Sequence, residues 1–367
     1  MVRARLCRSL LDWYSRTRRD LPWRRVRDPY AIWVSETMLQ QTRVETVIPY
    51  YDRFMRELPT VHSLAEAPEA RVLALWSGLG YYRRARMLHA AAKQVADALH
   101  GRLPEDAAEL QKLKGVGRYT AGAIASIAFG KRAALVDGNV ARVLSRLFAI
   151  EEDIKSTRGV AALWRLAEEL VAGEGVEPGD WNQALMELGA TVCSPRDPKC
   201  GECPVRSDCA ARERGITGSL PRSERRAQPV SVRRAAIVLA SRTQVLLARR
   251  RGDVLFGGLW EPPSAEADLA SLASSLGIDA HTLQPAGEVT HLLTHRRIHI
   301  DVARGELTRE RSRRGTRKWP LPSAEFDAIE PVPLAELKAT EPRGLSTLAR
   351  KVLIVANIPL GSLPWKK

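Results

Sequence analysis

Leu113-Lys-Gly115-Val-Gly117-Arg-Tyr119-Thr-Ala121 joins two stretches of helical pattern through a pair of glycines. Such a turn aims successive backbone N–H groups, and the start of the helix that follows, at an anion such as a nucleic-acid phosphate. A Gly-x-Gly turn alone is a weak signal, and it gains meaning from what surrounds it. The chain reads as helical from residue 6 to about 190, with apolar residues recurring at spacings of three and four: Leu64, Ala67, Val72, Leu75 and Trp76, or Leu144, Leu147 and Phe148. Pro22, Pro59, Pro104 and Gly115 mark the connections, and no alternating strand precedes residue 230.

Two carboxylates stand out in this helical part. Asp137 lies in Leu135-Val136-Asp137-Gly138-Asn139-Val140, about twenty residues beyond the hairpin and just ahead of an amphipathic helix. That is the position of a helix cap, so capping and chemistry are both open for it. Glu36 interrupts the largely apolar stretch Tyr30-Ala-Ile-Trp-Val-Ser-Glu36-Thr-Met-Leu-Gln40-Gln41-Thr42, with Gln40 one turn further on the same face. Held against neighbours such as Trp33, a carboxyl there has its pKa raised, which suits a general acid. On an ordinary amphipathic helix it faces solvent.

Four of the five cysteines fall in Cys193-x6-Cys200-x2-Cys203-x5-Cys209, with Pro195, Pro198, Gly201 and Pro204 between them. Short loops of this kind let four thiolates converge on one centre. Sulfur-only donors suit tetrahedral zinc or a [4Fe-4S] cluster. Zinc modules more often use two Cys-x2-Cys hooks, and one is present here. Arg196, Lys199 and Arg206 make the loop basic. Cys7 stands alone on an apolar helical stretch and reads as a small buried hydrophobe.

The pattern changes towards the C-terminus. Residues 219–234, Ser-Leu-Pro-Arg-Ser-Glu-Arg-Arg-Ala-Gln-Pro-Val-Ser-Val-Arg-Arg, carry no apolar period and read as a charged linker. Ala235–Ala240 and Gln244–Ala248 are apolar runs of strand length, and Arg297-Ile-His-Ile-Asp-Val302 alternates like a half-buried strand. Helical patterns recur near 266–276 and 334–338, so this part is α+β. Arg309 to Lys318 reads as an exposed, arginine-rich loop. The net charge is +15, divided as +6 over residues 1–220 and +9 over 221–367, which suits a polyanionic partner. No stretch approaches the roughly 18 uninterrupted apolar residues of a membrane span. The basic start lacks an apolar signal core, and a cytoplasmic protein is the simplest reading.

Leu21-Pro-Trp23-Arg24, the Glu36 helix ending in Gln40-Gln41-Thr42, Gly78-Leu-Gly80-Tyr81-Tyr82, the hairpin, Val136-Asp-Gly-Asn-Val140 and the cysteine spacing occur in order over roughly residues 6–215. Jointly they resemble the MutY-type adenine DNA glycosylases of the endonuclease III superfamily. The resemblance implies a multidomain protein. An all-α helix-hairpin-helix glycosylase domain with an iron–sulfur cluster loop (1–218) is followed by the linker and an α+β Nudix-like domain (235–361). It implies that Cys193, Cys200, Cys203 and Cys209 hold a [4Fe-4S] cluster. Glu36 becomes the acid that protonates a flipped-out adenine, and Asp137 the ionised carboxylate that stabilises the positive sugar left behind. Asn139 and Tyr119 complete the catalytic set. Tyr119 stands where bifunctional relatives carry a Schiff-base lysine, so strand cleavage is not expected, and Lys114 does not fill that role. Arg24, Leu39, Gln41, Tyr81, Gly115 and Gly117 are the implied DNA contacts, with Gln41 and Tyr81 as wedges into the vacated duplex. The implied partner is duplex DNA with 8-oxoguanine:A or G:A mispairs, met by a monomer in the bacterial cytoplasm at the nucleoid, with no membrane involved.

Val245-Leu-Leu-Ala-Arg249-Arg250 and Leu255-Phe-Gly-Gly258-Leu-Trp260-Glu261-Pro262 resemble the start of a Nudix domain. Where active Nudix hydrolases have their glutamate-rich box, this chain reads Ala265-Glu-Ala-Asp-Leu-Ala-Ser-Leu-Ala-Ser-Ser-Leu-Gly277, so a recognition module is expected rather than a pyrophosphatase. The family reads 8-oxoguanine with a Phe-Ser-His loop. The matching stretch here is Leu293-Thr294-His295, which keeps a hydroxyl and an imidazole and has leucine in place of the aromatic. Two other readings stand beside this one. One is a sister glycosylase acting on thymine or uracil opposite guanine, a type that generally lacks the second domain and the catalytic Glu. The other is a non-catalytic DNA-binding or redox-sensing iron–sulfur protein.

Overall fold

The structure, a computed structural model, describes residues 2–173, 175–224, 228–307, 311–312, 315–316, 319–338 and 343–361. The chain divides into two bodies, Met1–Glu66 with Met87–Arg226, and Ala67–Arg86 with Ala227–Lys367. Helices α1 (Val2–Thr17), α2 (Pro29–Leu39), α3 (Val44–Glu57), α4 (Val61–Glu66), α5 (Glu69–Trp76), α6 (Arg83–Leu99), α7 (Ala107–Leu110), α8 (Arg118–Ile127), α9 (Gly138–Leu147), α10 (Thr157–Val171), α11 (Pro178–Thr191) and α12 (Ala210–Glu213) follow in order. Of these, α5 and the first turn of α6 belong to the second body.

In the first body, α2 is the central helix. Asp28 caps it by accepting from the backbone N–H groups of Tyr30 (3.1 Å) and Ala31 (3.4 Å), and Pro29 pre-sets its first turn. Every residue from Tyr30 to Met38 is buried, so the helix has no solvent face and its polar residues must be satisfied inside. Ser35 donates to the Ile32 carbonyl and Thr37 to that of Trp33, both at 2.8 Å. A second core forms where Val140, Val143, Leu144 and Leu147 of α9 meet Trp181, Leu185 and Leu188 of α11, with Leu6, Leu10 and Tyr14 of α1 against them. Between α7 and α8 the glycine hairpin turns at Gly115, whose φ is +75°. A β-carbon there would lie 2.4 Å from that of Met87, so backbone angle and close packing both demand glycine.

The second body is built on a seven-stranded mixed sheet. Its strands are β1 (Val230–Ala240), β2 (Gln244–Arg250), β3 (Trp260–Glu261), β4 (Ser264–Ala265), β5 (Gln284–Leu292) and β6 (Arg296–Glu306), then, after the two-residue strands β7 (Arg311–Ser312) and β8 (Gly315–Thr316), β9 (Phe326–Pro333). The order is β3-β2-β1-β6-β5, with β4 added to β1 and β9 to β2. Strands β1 and β6 run parallel, and the other pairs are antiparallel. Helices α13 (Leu269–Ser275) and α14 (Leu334–Lys338) appear where the pattern placed them, and α15 (Thr347–Val355) adds a further one. Alternation along β1 sends Ala235, Ile237 and Leu239 to the face covered by Leu272 and Leu276. Ala236, Val238 and Ala240 go to the face covered by Leu348 and Val352. With both faces covered, the strand reads as one unbroken apolar run.

Three expectations are revised or limited. The stretch 219–234 is not linker throughout, because β1 begins at Val230 and pairs with β6 from Val230↔Arg296 onwards. Its first residues are mostly exposed, which allows arginines and hides the apolar alternation of Val230 and Val232. The helical part is also not one contiguous block. Ala67–Arg86 joins the second body through contacts such as Ser77 Oγ donating to the Leu345 carbonyl at 2.7 Å, a separation of 268 residues. Of Arg309–Lys318, only 311–312 and 315–316 are described; they pair as an antiparallel ribbon, and the rest of that expectation lies outside the described residues. No helix among the described residues is long and apolar enough to cross a membrane.

Candidate active site

Glu36 sits inside the first body at 4 % exposure. Its Oε2 accepts a short hydrogen bond from the Tyr119 hydroxyl, which α8 delivers directly after the glycine hairpin. The same hydroxyl lies 3.5 Å from Met186 Sδ on α11. Burial pushes the Glu36 carboxyl up to about 7; the Tyr119 bond and Arg24 oppose this, and the negative charge of Asp137 adds to it. Burial beside that carboxyl also holds the Tyr119 phenol well above its ordinary range. Gln40, at the end of α2, donates to Thr120 Oγ1 at 3.1 Å and ties α2 to α8 one residue past Tyr119.

Asp137 caps α9. Its Oδ1 accepts from the Val140 N–H at 2.7 Å, and Oδ2 accepts from the Asn139 amide at 3.0 Å. Burial raises its pKa, while these donors and Arg142 favour the carboxylate. Asn139 is itself held, its Oδ1 taking 2.8 Å from Arg142 Nη2. Gly189 on α11 lets that segment approach closely, since a β-carbon there would lie 2.6 Å from Asn139 Cβ.

Glu36, Tyr119 and Asp137 thus act on one another electrostatically at one half-buried site, with Asn139 fixed against Asp137. Arg24, expected as a DNA contact, is drawn inward: Nη2 binds Glu187 Oε2 at 2.9 Å and the guanidinium lies over the Tyr14 ring. Leu39 is half-buried at the end of α2, and Gln41 is exposed in left-handed backbone at φ +57°. In the second body, Tyr81 is also left-handed (φ +49°), and its hydroxyl lies 3.1 Å from Thr294 Oγ1. Thr294 and His295 form the turn between β5 and β6, with His295 exposed.

Cys193, Cys200, Cys203 and Cys209 line one pocket together with Val192, Arg146 and Arg206. Burial raises the thiols of Cys203, to about 11, and of Cys209. Thiols so placed ionise readily only beside a strongly positive centre, and the arginines offset the anionic charge that four thiolates bring. The donor chemistry therefore fits a thiolate-ligated group, while among the described residues no three or more His, Cys, Asp or Glu side chains are gathered closely enough to hold a single metal ion.

An HhH-GPD model, that of the HhH-GPD superfamily base excision DNA repair proteins, matches residues 34–169. The solved structure of a thermostable thymine-DNA glycosylase is 34 % identical to this chain, with 97 % of that chain and 58 % of this one aligned at a TM-score of 0.53. The chain belongs to the HhH-GPD superfamily. A NUDIX domain model matches residues 234–353. Among curated relatives, "Adenine DNA glycosylase" of Homo sapiens is 55 % identical over 215 residues, 56 % of this chain and 39 % of the relative. "Adenine DNA glycosylase" of Arabidopsis thaliana is 38 % identical over 362 residues, 82 % of this chain and 57 % of the relative. The chain therefore spans 39 % and 57 % of those relatives' own lengths.

Several residues of this HhH-GPD site were not singled out from the sequence. Glu187, buried on α11, takes both Arg19 (2.8 and 2.9 Å) and Arg24, and their guanidinium groups hold its carboxyl down at about 2. Arg142 and Arg146, one turn apart on α9, face the cysteine loop. Arg142 Nε donates to the Cys193 carbonyl at 2.7 Å. Arg146, 2 % exposed, donates to the carbonyls of Ser194 (2.7 Å), Pro195 (3.1 Å), Thr217 (3.0 Å) and Leu220 (2.9 Å), and lies 3.4 Å from Cys193 Sγ. The available signal was arginine repeating at i and i+4 within an apolar helix face.

Arg146→Met is expected to cost about 3 kcal/mol, because it leaves several buried carbonyls without donors. Arg146→Lys should recover only part of this, since one ammonium cannot serve a fan of acceptors. Thermal unfolding with metal analysis of the purified variants checks both, and a methionine variant as stable as wild type would remove Arg146 from the role of loop clamp.

Proposed function

We propose that the protein is a monofunctional adenine DNA glycosylase, excising adenine opposite 8-oxoguanine or guanine in duplex DNA. The observation that carries the reading is Glu36, a buried carboxyl with its pKa near 7 and one oxygen occupied by Tyr119. Its other oxygen is left to hold a proton for a base. Glu36 gives that proton to a ring nitrogen of an adenine flipped out of the stack. The glycosidic bond then breaks, its electron pair leaves with the now neutral base, and the sugar is left positively charged. Asp137, fixed by Val140 and Asn139, faces that charge as a carboxylate. Water completes the hydrolysis at the sugar carbon and releases its proton to a carboxylate. No lysine occupies the Tyr119 position, so no Schiff base forms and the strand stays intact.

The glycine hairpin offers backbone N–H groups to a DNA phosphate, and Gln41 and Tyr81, both exposed on left-handed turns, are the wedges. The second domain, residues 235–361 in this reading, supplies Thr294 and His295 to the edge of 8-oxoguanine. The four cysteines hold a [4Fe-4S] cluster, which shapes their basic loop.

One observation favours a second reading, because the aligned solved structure at TM-score 0.53 is of a thymine-DNA glycosylase. Single-turnover base release from duplexes carrying A opposite 8-oxoguanine, A opposite G, and T opposite G separates the two. Adenine should be released fastest opposite 8-oxoguanine. Preferential release of thymine would overturn the adenine assignment.

A further inference from the structure

The β5–β6 turn holds two adjacent leucines, and they have opposite fates. Leu293, which stands where the resemblance would put an aromatic, is half-buried and packs against the sheet core, with its N–H on the Arg296 carbonyl at 2.8 Å. Leu292 is 62 % exposed. Successive residues of a strand point to opposite faces, so a leucine pair here can place only one side chain outward. We propose that Leu292, rather than Leu293, is the apolar side chain that this hairpin presses against the bases of duplex DNA beside the position read by Thr294.

An isolated exposed leucine is commonplace and carries no argument. Here the backbone beneath it is clamped. Thr290 Oγ1 lies 3.2 Å from His299 Nδ1, Lys351 Nζ donates to the Thr290 carbonyl at 3.1 Å, and the His291 ring meets Phe256 edge-on at 6.2 Å. Leu292 itself is in register with Arg297. A rigidly presented apolar group loses little freedom when it is covered. The residues around the turn also specify what covers it. Arg297, the register partner of Leu292, shares its face of the sheet, and so does Arg233, which is in register with His299 as Thr290 is. Tyr81, 47 % exposed, reaches Thr294. His295, Arg233 and Arg297 are all exposed. Apolar side chains interleaved with cations fit a polyanion whose interior is stacked bases, whereas a neutral protein partner has no use for the arginines.

The inference rests on the glycosylase reading and deepens it. Its test measures the affinity of wild type, Leu292→Ala, Leu292→Phe and Leu293→Ala for a duplex with 8-oxoguanine opposite 2′-fluoro-2′-deoxyadenosine, which resists cleavage, and for the same duplex undamaged. Leu292→Ala should weaken lesion binding about tenfold, the scale of one lost base contact, with Tm unchanged and undamaged-duplex affinity within about twofold. Leu292→Phe should restore it. Leu293→Ala should lower Tm instead. If wild type itself shows no preference for the lesion duplex, the functional reading falls and this one with it. If wild type shows the preference and Leu292→Ala keeps it, only the Leu292 assignment falls. That second result is also what a protein-docking role for the leucine predicts.

Discussion

Glu36→Gln is expected to stop base release while making the protein more stable at neutral pH. The amide keeps the shape of the side chain and can still accept from Tyr119, but it carries no proton for the leaving base. General acid catalysis is worth about 10²–10⁴ in rate, so the variant should fall by at least that range while still binding the mispair. The stability gain follows from the raised pKa. Between the ordinary glutamate value of 4.5 and about 7, the unfolded chain has lost this proton and the folded one retains it, so stability declines as pH rises through that window. Above it the deficit is full, about 3 kcal/mol. Glutamine carries no such deficit, so its Tm should exceed wild type at pH 8, and the gap should shrink to about a quarter at pH 5 and close by about pH 4. The same titration makes wild-type base release decline above about pH 7, as Glu36 loses its proton. Single-turnover kinetics across pH, paired with thermal unfolding at the two ends, checks each part. Normal turnover in Glu36→Gln would remove Glu36 from the mechanism, and a Tm gap independent of pH would mean that Glu36 titrates normally in the fold.

How much of this was legible in the sequence depends on how local each cause is. The hairpin glycines and the Asp137 cap are written in neighbouring residues, and the structure has both as expected; the Asp28 cap is equally local and was not singled out. The cysteine pocket follows from short loops. The burial of Glu36 was less accessible, because a glutamate is buried only if helices distant in sequence close over it. The Tyr119 hydroxyl that partners it comes from 83 residues away. Glu187 and Arg146 look like surface charges until α11 and the cysteine loop fold against them. In the second body, the start of β1 was hidden because an exposed strand end tolerates arginine, and periodicity alone cannot tell Val230 and Val232 from linker. The fates of Leu292 and Leu293 turn on strand parity, which a one-residue shift would invert. Alignment to a family motif does not fix it.

Asp137→Asn separates capping from chemistry, because asparagine caps a helix about as well as aspartate. The retained oxygen can still accept from Val140 N–H, so α9 should start where it does now. The new amide would face the Asn139 amide across the present 3.0 Å contact, donor against donor. Asn139 cannot turn over without giving up Arg142 at 2.8 Å. That conflict costs about 1 kcal/mol, the worth of one hydrogen bond, and removing a buried carboxylate offsets part of it. Stability should therefore change little. The rate should not be spared: deleting one preorganised electrostatic group at a developing charge typically costs 10²–10³, and here the deleted group carries a full negative charge. A purely capping Asp137 would leave base release at wild-type speed. Low pH adds a second discriminator. Because burial raises the Asp137 pKa, wild-type activity should decline on acidification at a pH above the ordinary aspartate value of 3.8, as the carboxylate takes up a proton. The asparagine variant has no such group to titrate, so its residual activity should lack that acid limb. A variant that unfolds at the same temperature, reacts about a thousandfold more slowly and has lost the acid limb assigns Asp137 to the positive sugar.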